Sequence, residues 1–255
     1  MKEKTCQAII NEVKKAVIGK DDCIELVLCA LLAGGHVLVE DIPGVGKTTM
    51  AKAFAQALNL TSTRVQFTPD VLPTDLTGFY LYNRDGAAQF HPGAVFCNLL
   101  LADEINRTSP KTQSALLEVM EEGKVTIDGV TRDLEKPFFV LATQNPAGSI
   151  GTALLPESQV DRFMIQLSMG YPTQEEEIQI LLSKQAGKQP AVAGVLTTAQ
   201  VILLQNEVEK VFLHKLIYDY IVRLVDKTEN TPWSLWDVRR VLPWRWSRWH
   251  RHRHL

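Results

Sequence analysis

The sequence predicts an α/β fold in which a parallel sheet is flanked by helices. Two observations favour this class: short runs of strand-forming apolar residues alternate with longer stretches of helical period, and no internal repeat or low-complexity linker interrupts them. With 255 residues, 45% of them hydrophobic, the chain can bury a full core. It suits one large domain, or a domain with a small lid.

Composition and charge narrow the functional classes. No apolar run approaches the roughly eighteen residues of a membrane span, and the N-terminus lacks the apolar stretch of a signal peptide, so we expect a cytoplasmic protein. The net charge is −2, but residues 232–255 hold six arginines and one acid, so residues 1–231 carry a net charge of −7. This acidic body predicts no nucleic-acid partner.

The cysteines and the C-terminal histidines do not predict a metal site. The cysteine spacings match neither a zinc site nor a redox pair, and we predict reduced thiols at Cys6, Cys23, Cys29 and Cys97. Alternating histidines near the C-terminus have no partner ligands in the sequence pattern, so we assign no metal to them.

The first predicted elements lead to a loop rich in glycine. We predict helices over residues 7–17 and 24–32, the second beginning after Asp21 and Asp22, and a strand over residues 36–40. A glycine loop follows this strand, and an alanine-rich helix is predicted over residues 50–58. Strand, glycine loop and helix in this order are the context that a phosphate-binding loop requires.

The residue types in this loop suit ATP. Glycines let backbone N–H groups close around a phosphate, Lys47 reaches the β and γ oxygens, and Thr48 offers a hydroxyl to Mg²⁺. Asp41 departs from the consensus, which usually has its first glycine at this position. The predicted nucleotide-binding residues of the loop are Gly44, Val45, Gly46, Lys47, Thr48 and Thr49.

A second motif lies downstream, where the buried-strand run over residues 98–102 ends in Asp103 and Glu104. Acids at the carboxyl edge of a parallel sheet lie where ligands bind, and this pattern matches a Walker B motif. We predict that Asp103 and Thr48 hold the Mg²⁺ shell and that Glu104 orients and polarises the attacking water. Taken alone, such a pair caps a helix as often as it catalyses.

Four further segments carry a family resemblance, in the family's order: residues 103–107, 116–122, 141–146 and 155–163. Together they resemble the MoxR family of AAA+ ATPases over about residues 10 to 230. The resemblance implies a P-loop AAA+ fold and ATP hydrolysis with Mg²⁺.

The resemblance also assigns roles to residues outside the loop. Asn145 is similar to the sensor 1 residue, an amide that contacts the γ-phosphate; a plain Asn-Pro turn is the alternative. Arg162 resembles the arginine finger that acts on the neighbouring subunit; a surface ion pair with Asp161 or Glu157 is the alternative. Residues 17–20 resemble the segment beside the adenine, which implicates Ile18 and Gly19.

Two insertions resemble those of the helix-2-insert clade of the family. One spans residues 77–93, and the other spans residues 124–135 and predicts a hairpin with an Asp-Gly turn. By resemblance such loops line a pore or grip a partner.

The C-terminal part predicts helices over residues 174–182, 199–204 and 208–225, which fit the helical lid of AAA+ proteins. We therefore divide the chain into a nucleotide-binding domain (1–168), a lid (169–231) and an atypical tail (232–255). All five tryptophans and half of the arginines fall in that tail, which suggests a frame shift or truncation. A basic-aromatic membrane or nucleic-acid tail is the alternative. The chain has no segment like the family's sensor 2 motif.

The predicted function is that of a MoxR-type ATPase in a homo-hexameric ring, acting as a chaperone on a client protein with a von Willebrand factor A domain. Three alternatives stay open. They are a metal-chelatase-type ATPase subunit, a nucleic-acid motor, and an ATP-binding switch with weak turnover caused by an incomplete lid.

Overall fold

The computed structural model describes residues 2–41, 44–84, 87–145, 154–185 and 191–229. The strands in these ranges are β1 (Val37–Glu40), β2 (Ser62–Gln66), β3 (Gly78–Tyr82), β4 (Ala88–Pro92), β5 (Leu99–Asp103), β6 (Lys124–Ile127), β7 (Val130–Asp133), β8 (Phe139–Gln144) and β9 (Ile165–Leu167). The helices are α1 (Lys2–Ala16), α2 (Asp21–Leu32), α3 (Lys47–Ala57), α4 (Pro73–Thr77), α5 (Pro110–Glu122), α6 (Glu157–Val160), α7 (Gln174–Gln185), α8 (Thr198–Glu209) and α9 (Lys215–Glu229). None of these helices is long and apolar enough to cross a membrane.

The main sheet has five parallel strands in the order β2-β5-β8-β1-β9. It has a hydrophobic cluster on each face, so the predicted parallel α/β class is confirmed. The alternation of β5 shows how one strand serves both layers: Leu99 and Leu101 pack with α1, α2 and α3, whereas Leu100 and Ala102 pack with α5. Since β5 is buried on both faces, it reads as a continuous apolar run.

Local signals explain where α5 begins and ends. The Ser109 side chain accepts a hydrogen bond from the backbone N–H of Thr112 at 3.3 Å, and Pro110 occupies the first helical position. The helix stops at Gly123, whose φ of +64° is the left-handed value that ends many helices. These signals give α5 defined ends between the β5 acids and the second hairpin.

Most predicted helices are present with shifted ends. The helix predicted over residues 7–17 begins earlier, at Lys2, and the one predicted over 50–58 begins at Lys47, directly after its N-cap Gly46. The single helix predicted over residues 208–225 is wrong, because α8 ends at Glu209 and α9 begins at Lys215. His214 lies directly before α9, where its Nδ1 accepts the backbone N–H of Leu216, in the first turn of the new helix, at 3.3 Å.

Two hairpins, β3–β4 and β6–β7, lie outside the main sheet. The second is the hairpin predicted over residues 124–135, whereas the first insertion carried no prediction of its secondary structure. Arg132 of β7 joins them. Its guanidinium lies over the Phe90 ring at 4.2 Å from the centroid, and its Nη2 donates to the Tyr80 hydroxyl at 2.7 Å. A weaker contact joins the Tyr82 hydroxyl to Asp128 at 3.4 Å. The hairpins, which are distant in sequence, therefore form one unit.

His36, predicted as the first residue of a strand, instead places its side chain in the core. Its Nδ1 accepts the backbone N–H of Val140 at 3.0 Å, and its Nε2 lies 3.0 Å from the backbone oxygen of Met120. Because Nδ1 has to accept, the neutral ring carries its proton on Nε2 and donates it to Met120. Burial lowers the pKa of His36 to about 4.

The four cysteines are free thiols, as predicted. The predicted tail, residues 232–255, lies outside the described residues.

Candidate active site

Strand order brings the predicted site residues to one edge of the main sheet. β1, β5 and β8 are neighbours and run parallel, so their carboxyl ends meet at that edge. The glycine loop follows β1, Asp103 and Glu104 lie at the end of β5, and Asn145 follows β8. In open parallel sheets this edge is where ligands bind.

The loop between β1 and α3 has the backbone of an anion site. Gly44 and Gly46 have φ values of +94° and +98°, which favour glycine. Gly46 is the N-cap of α3 and brings no side chain to the first N–H groups of the helix. Those N–H groups and the helix dipole attract a phosphate. Thr48 is half-buried at this helix start, and Thr49 is exposed.

Lys47 is buried at the start of α3, with 7% of its surface exposed. Its Nζ donates a hydrogen bond to the backbone oxygen of Asp41 at 2.7 Å. Burial lowers the pKa of Lys47, while the carboxylates of Asp103, Asp41 and Glu104 act to raise it. The cation of the loop therefore lies within electrostatic reach of both β5 acids.

Asp103 is held on both carboxylate oxygens. The Thr143 hydroxyl donates to its Oδ1 at 2.7 Å, while Arg64 of β2 donates to its Oδ2 from Nη2 at 2.8 Å and from Nε at 3.1 Å. The Arg64 side chain is half exposed, so solvent weakens this ion pair. The buried Thr143 hydroxyl thus orients the Asp103 carboxylate, and the exposed Arg64 pairs with it weakly enough for a metal ion to take the place of the arginine.

Glu104 adopts a left-handed backbone, with φ of +58° and ψ of +48°. Its N–H donates to the same Thr143 hydroxyl at 2.8 Å, and its carboxylate pairs with Arg107 at 2.8 Å. A non-glycine residue in this region is uncommon and is found at functional sites more often than elsewhere. Thr143 therefore orients both acids from the neighbouring strand.

Asn145 lies at the end of β8 with 7% of its surface exposed. Asn106 fixes its backbone by accepting its N–H and by donating to its carbonyl oxygen, both at 3.2 Å. The side-chain Oδ1 of Asn145 is buried, and the described residues give it no hydrogen-bond partner. Such an atom costs free energy unless a ligand or water satisfies it.

Arg162 follows α6 and lies away from these groups, on the surface. Its Nη1 is 3.4 Å from Glu121 near the end of α5, a partner that the sequence analysis did not consider. Pro110 and Glu121 are separated by roughly 16 Å along α5, at 1.5 Å per residue. Arg162 therefore lies at the far end of the helix that begins near the β5 acids.

Comparison with known proteins identifies the family. A model of the ATPase family associated with various cellular activities (AAA) matches residues 36–165. The chain is 49% identical over 225 residues to the uncharacterized protein YeaC of Bacillus subtilis, covering 88% of this chain and 70% of YeaC. It is 44% identical over 228 residues to Chaperone MoxR1 of Mycobacterium tuberculosis, covering 89% and 60%. This chain belongs to the MoxR family of AAA+ ATPases.

Solved structures support the same fold. A Cytophaga hutchinsonii crystal structure assigned as an ATPase aligns with a TM-score of 0.80 at 40% identity, covering 88% of this chain and 69% of that one. The predicted P-loop AAA+ fold is thereby confirmed. AAA ATPases generally bind ATP with Mg²⁺ and hydrolyse it, and MoxR proteins are generally oligomeric. This chain spans 60% of the length of MoxR1 and 70% of that of YeaC.

The residues of this MoxR protein fit ATP and Mg²⁺. The first turn of α3 presents its N–H groups and Lys47 to phosphates. At the same edge the buried Oδ1 of Asn145, which has no hydrogen-bond partner among the described residues, is placed to accept from a water. Thr48 and Asp103 are oxygen ligands of the kind that Mg²⁺ prefers. Among the described residues no cluster of three or more His, Cys, Asp and Glu side chains could hold a metal. A Mg²⁺ ion here would therefore depend on phosphate and water for its other ligands.

The segment predicted to lie beside the adenine contacts α7. Ile18 is half-buried, and Gly19 has a φ of +69° with the Glu176 side chain packed so closely that a Cβ would overlap it. The Lys20 ammonium donates to the backbone oxygen of Tyr171 at 2.9 Å. Gly19 lines a cleft of about 630 Å³ that extends along β9 to Met169. This volume is within the usual range for small-molecule sites.

Sequence reasoning missed four residues that hold the site: Arg64, Asn106, Arg107 and Thr143. Asn106 and Arg107 lie inside residues 103–107, and Thr143 lies inside residues 141–146, two of the segments that carry the family resemblance, so their positions were a usable signal. Arg64 and Thr143 come from the two strands that flank β5. Their contacts with Asp103 depend on the strand order, which local patterns do not give.

Proposed function

We propose that this chain hydrolyses ATP with Mg²⁺ at the interfaces of a subunit ring, hexameric by resemblance, and uses the motion to remodel or activate a protein partner. The observation that supports this function is the convergence of a buried lysine, two acids and a buried amide at one edge of the sheet: Lys47, Asp103, Glu104 and Asn145. Phosphoryl transfer depends mainly on positioning and charge stabilisation, and these groups supply both.

Binding is assigned to the glycine loop and its surroundings. The N–H groups of residues 44–49 and the Lys47 ammonium hold the phosphates, while Thr48 and Asp103 hold Mg²⁺. Lys47 then exchanges its bond to Asp41 for phosphate oxygens. Ile18 and Gly19 lie beside the adenine, and Gly19 also lines the cleft along β9.

Hydrolysis is assigned to Glu104 and Asn145. Glu104 polarises the attacking water after it leaves its ion pair with Arg107. The Nδ2 group of Asn145 donates to the γ-phosphate, and its buried Oδ1 accepts a hydrogen bond from the water. The two groups lie on adjacent strands whose ends are fixed by Thr143 and Asn106, so their separation is set by the sheet.

Assembly is assigned to Arg162. Arg162 is exposed. Its partner Glu121 lies roughly 16 Å along α5 from Pro110, the end of that helix nearest the β5 acids of the same chain. A neighbouring subunit can present such an arginine to a nucleotide in trans, where it stabilises charge on the transferred phosphoryl group. The helices α7, α8 and α9 within residues 169–231 serve as the lid, and residues 1–168 as the nucleotide-binding domain.

The protein partner is assigned by resemblance. A relative is named Chaperone MoxR1, and a von Willebrand factor A-domain protein is the client class that the family resemblance suggests. The joined hairpins present exposed apolar side chains, Phe79 and Leu81 among them, that could contact such a client. The net charge of −7 over residues 1–231 opposes binding to nucleic acid.

Two substitutions test the proposal. Lys47→Ala should abolish tight ATP binding, whereas Glu104→Gln should bind ATP and stop turnover, because one residue holds phosphate and the other only prepares water. Fluorescent nucleotide titration measures binding, and phosphate release measures turnover. The matched controls are Lys52→Ala, an exposed lysine of the same α3, and Glu25→Gln, an exposed glutamate of α2.

Normal turnover by Glu104→Gln would refute the assignment of the water-activating role. A wild-type chain that binds ATP with normal affinity and turns over none of it would instead support the alternative of a static ATP-binding switch.

A further inference from the structure

One carboxylate beside the phosphate loop has no place in the proposed chemistry. Asp41 stands where P-loops usually have their first glycine, and it is 7% exposed. Its backbone N–H donates to the Gln144 oxygen at 3.2 Å, which fixes it at the carboxyl end of β1. A buried carboxylate is costly unless it is well hydrogen-bonded, so its partners reveal what it does.

The Asp41 side chain binds the segment between β9 and α7. Its Oδ2 accepts the backbone N–H groups of Met169 and Gly170, the latter at 3.0 Å, and the Ser168 hydroxyl at 3.2 Å. Gly170 has a φ of +62°, a conformation in which successive N–H groups can converge on one anion. Three donors on one oxygen form a charge-assisted cluster that a glycine at this position could not make.

The Asp41 main chain binds the phosphate loop at the same time. Its backbone oxygen accepts the Lys47 ammonium at 2.7 Å. Met169, one of the donors to the carboxylate, also lies against the loop, because a Cβ on Gly46 would be 3.9 Å from its methyl carbon. One residue therefore connects the lysine that would hold phosphate with the first residues that lead into α7.

We propose that Asp41 is a positioning residue that couples phosphate binding in the loop to the placement of α7. This inference rests on the proposed function. When Lys47 moves to a phosphate, the Asp41 backbone oxygen loses its hydrogen bond and the Asp41 main chain can shift. The carboxylate carries that shift to residues 168–170 through its hydrogen bonds. A residue that couples two sites in this way contributes a coupling free energy rather than binding energy of its own.

The first experiment tests the connection without nucleotide. Hydrogen exchange is measured on Asp41→Gly, which restores the usual P-loop residue, on Asp41→Asn, which keeps an acceptor oxygen, and on the exposed control Asp70→Gly. The amides of Met169 and Gly170 should exchange roughly tenfold faster in Asp41→Gly, since they lose their acceptor oxygen. They should change little in the other two variants. Unchanged exchange in Asp41→Gly would overturn the proposal.

The second experiment adds a slowly hydrolysed ATP analogue. The glycine variant should keep nucleotide affinity within about threefold, because the loop and Lys47 remain. It should lose the nucleotide-dependent protection of amides in α7, and its kcat should fall roughly tenfold. Asp41→Asn should restore both. Full protection of α7 together with a wild-type kcat in Asp41→Gly would show that the carboxylate is only structural.

A second pair of variants serves if Asp41→Gly does not fold. Gly170→Ala strains the donor segment through its positive φ, and Gly123→Ala imposes a similar strain after α5; neither added Cβ meets a neighbour. Both should lower the melting temperature, but only Gly170→Ala should reduce kcat and α7 protection. Equal kinetic effects would contradict the coupling. A wild-type chain that binds no nucleotide would refute the proposed function, while the nucleotide-free exchange would still test the connection.

Discussion

Mild acid should destabilise this protein through one buried imidazole. His36 is neutral in the core, accepts an N–H at Nδ1 and donates from Nε2. A proton added to Nδ1 would face the Val140 N–H, so the folded state resists protonation until the pH approaches the lowered pKa of about 4. In the unfolded chain the same ring takes up a proton near pH 6.5.

The sign and size follow from linkage. Stability from neutral His36 is fully present above pH 6.5 and is lost as the pH falls towards 4, because only the unfolded state gains a proton in that window. With these two pKa values the loss is about 2 kcal/mol at pH 5 and about 3 kcal/mol at pH 4. Both values are a sizeable part of a typical domain stability.

Urea unfolding followed by circular dichroism at pH 7 and pH 5 measures this effect. Carboxylates also titrate in this range, so the comparison is with His36→Gln, which has no titrating group at this position. Between pH 7 and pH 5 the wild type should lose about 2 kcal/mol more than the variant. Equal losses in the two proteins would refute the argument.

Three further predictions concern the site and the core. Arg64→Ala should lower the Mg²⁺ concentration for half-maximal hydrolysis about two- to threefold, because the exposed ion pair competes with the metal for Asp103; a higher requirement would mean that the arginine acts in turnover. Arg162→Ala should lower kcat roughly a thousandfold or more. Mixing it with Glu104→Gln should recover activity if the arginine acts in trans, and no recovery would contradict that role. Phe54→Ala, at a fully buried position, should cost about 3–5 kcal/mol in urea unfolding.

The sequence was sufficient where chemistry is encoded locally. The glycine loop, Lys47 and the acids of β5 lie in short motifs, and each follows a strand recognisable from its apolar run. Parallel strands bring such ends to one edge, so the predicted class places the ends of β1, β5 and β8 at that edge, while their order in the sheet is a finding of the structure. The parallel fold could be predicted from the alternation of strand and helix patterns, and the β6–β7 hairpin from its Asp-Gly turn. The β3–β4 hairpin was not predicted.

Contacts between distant segments could not be predicted in this way. The local pattern around Arg64 predicts only an exposed strand residue. Its ion pair with Asp103 depends on the pairing of β2 with β5, which are distant in sequence. In the sequence Asp41 is only a departure from the P-loop consensus; the structure shows that residues 168–170, after β9, donate hydrogen bonds to its carboxylate. The break before α9 was missed because apolar periodicity continues across it, whereas the His214 side chain caps a new helix.

The Arg132 bridge has a mechanical consequence. Since the guanidinium clamps Phe90 and Tyr80, a load on either hairpin is shared by both. β6 begins one residue after Gly123, so that load passes directly into the C-terminal end of α5. The other end of this rigid rod, roughly 20 Å away, begins three residues after Arg107, the partner of Glu104. The joined hairpins and Arg107 therefore lie at opposite ends of α5, so this helix is the direct path by which a displacement of the hairpins would reach the ion pair of Glu104.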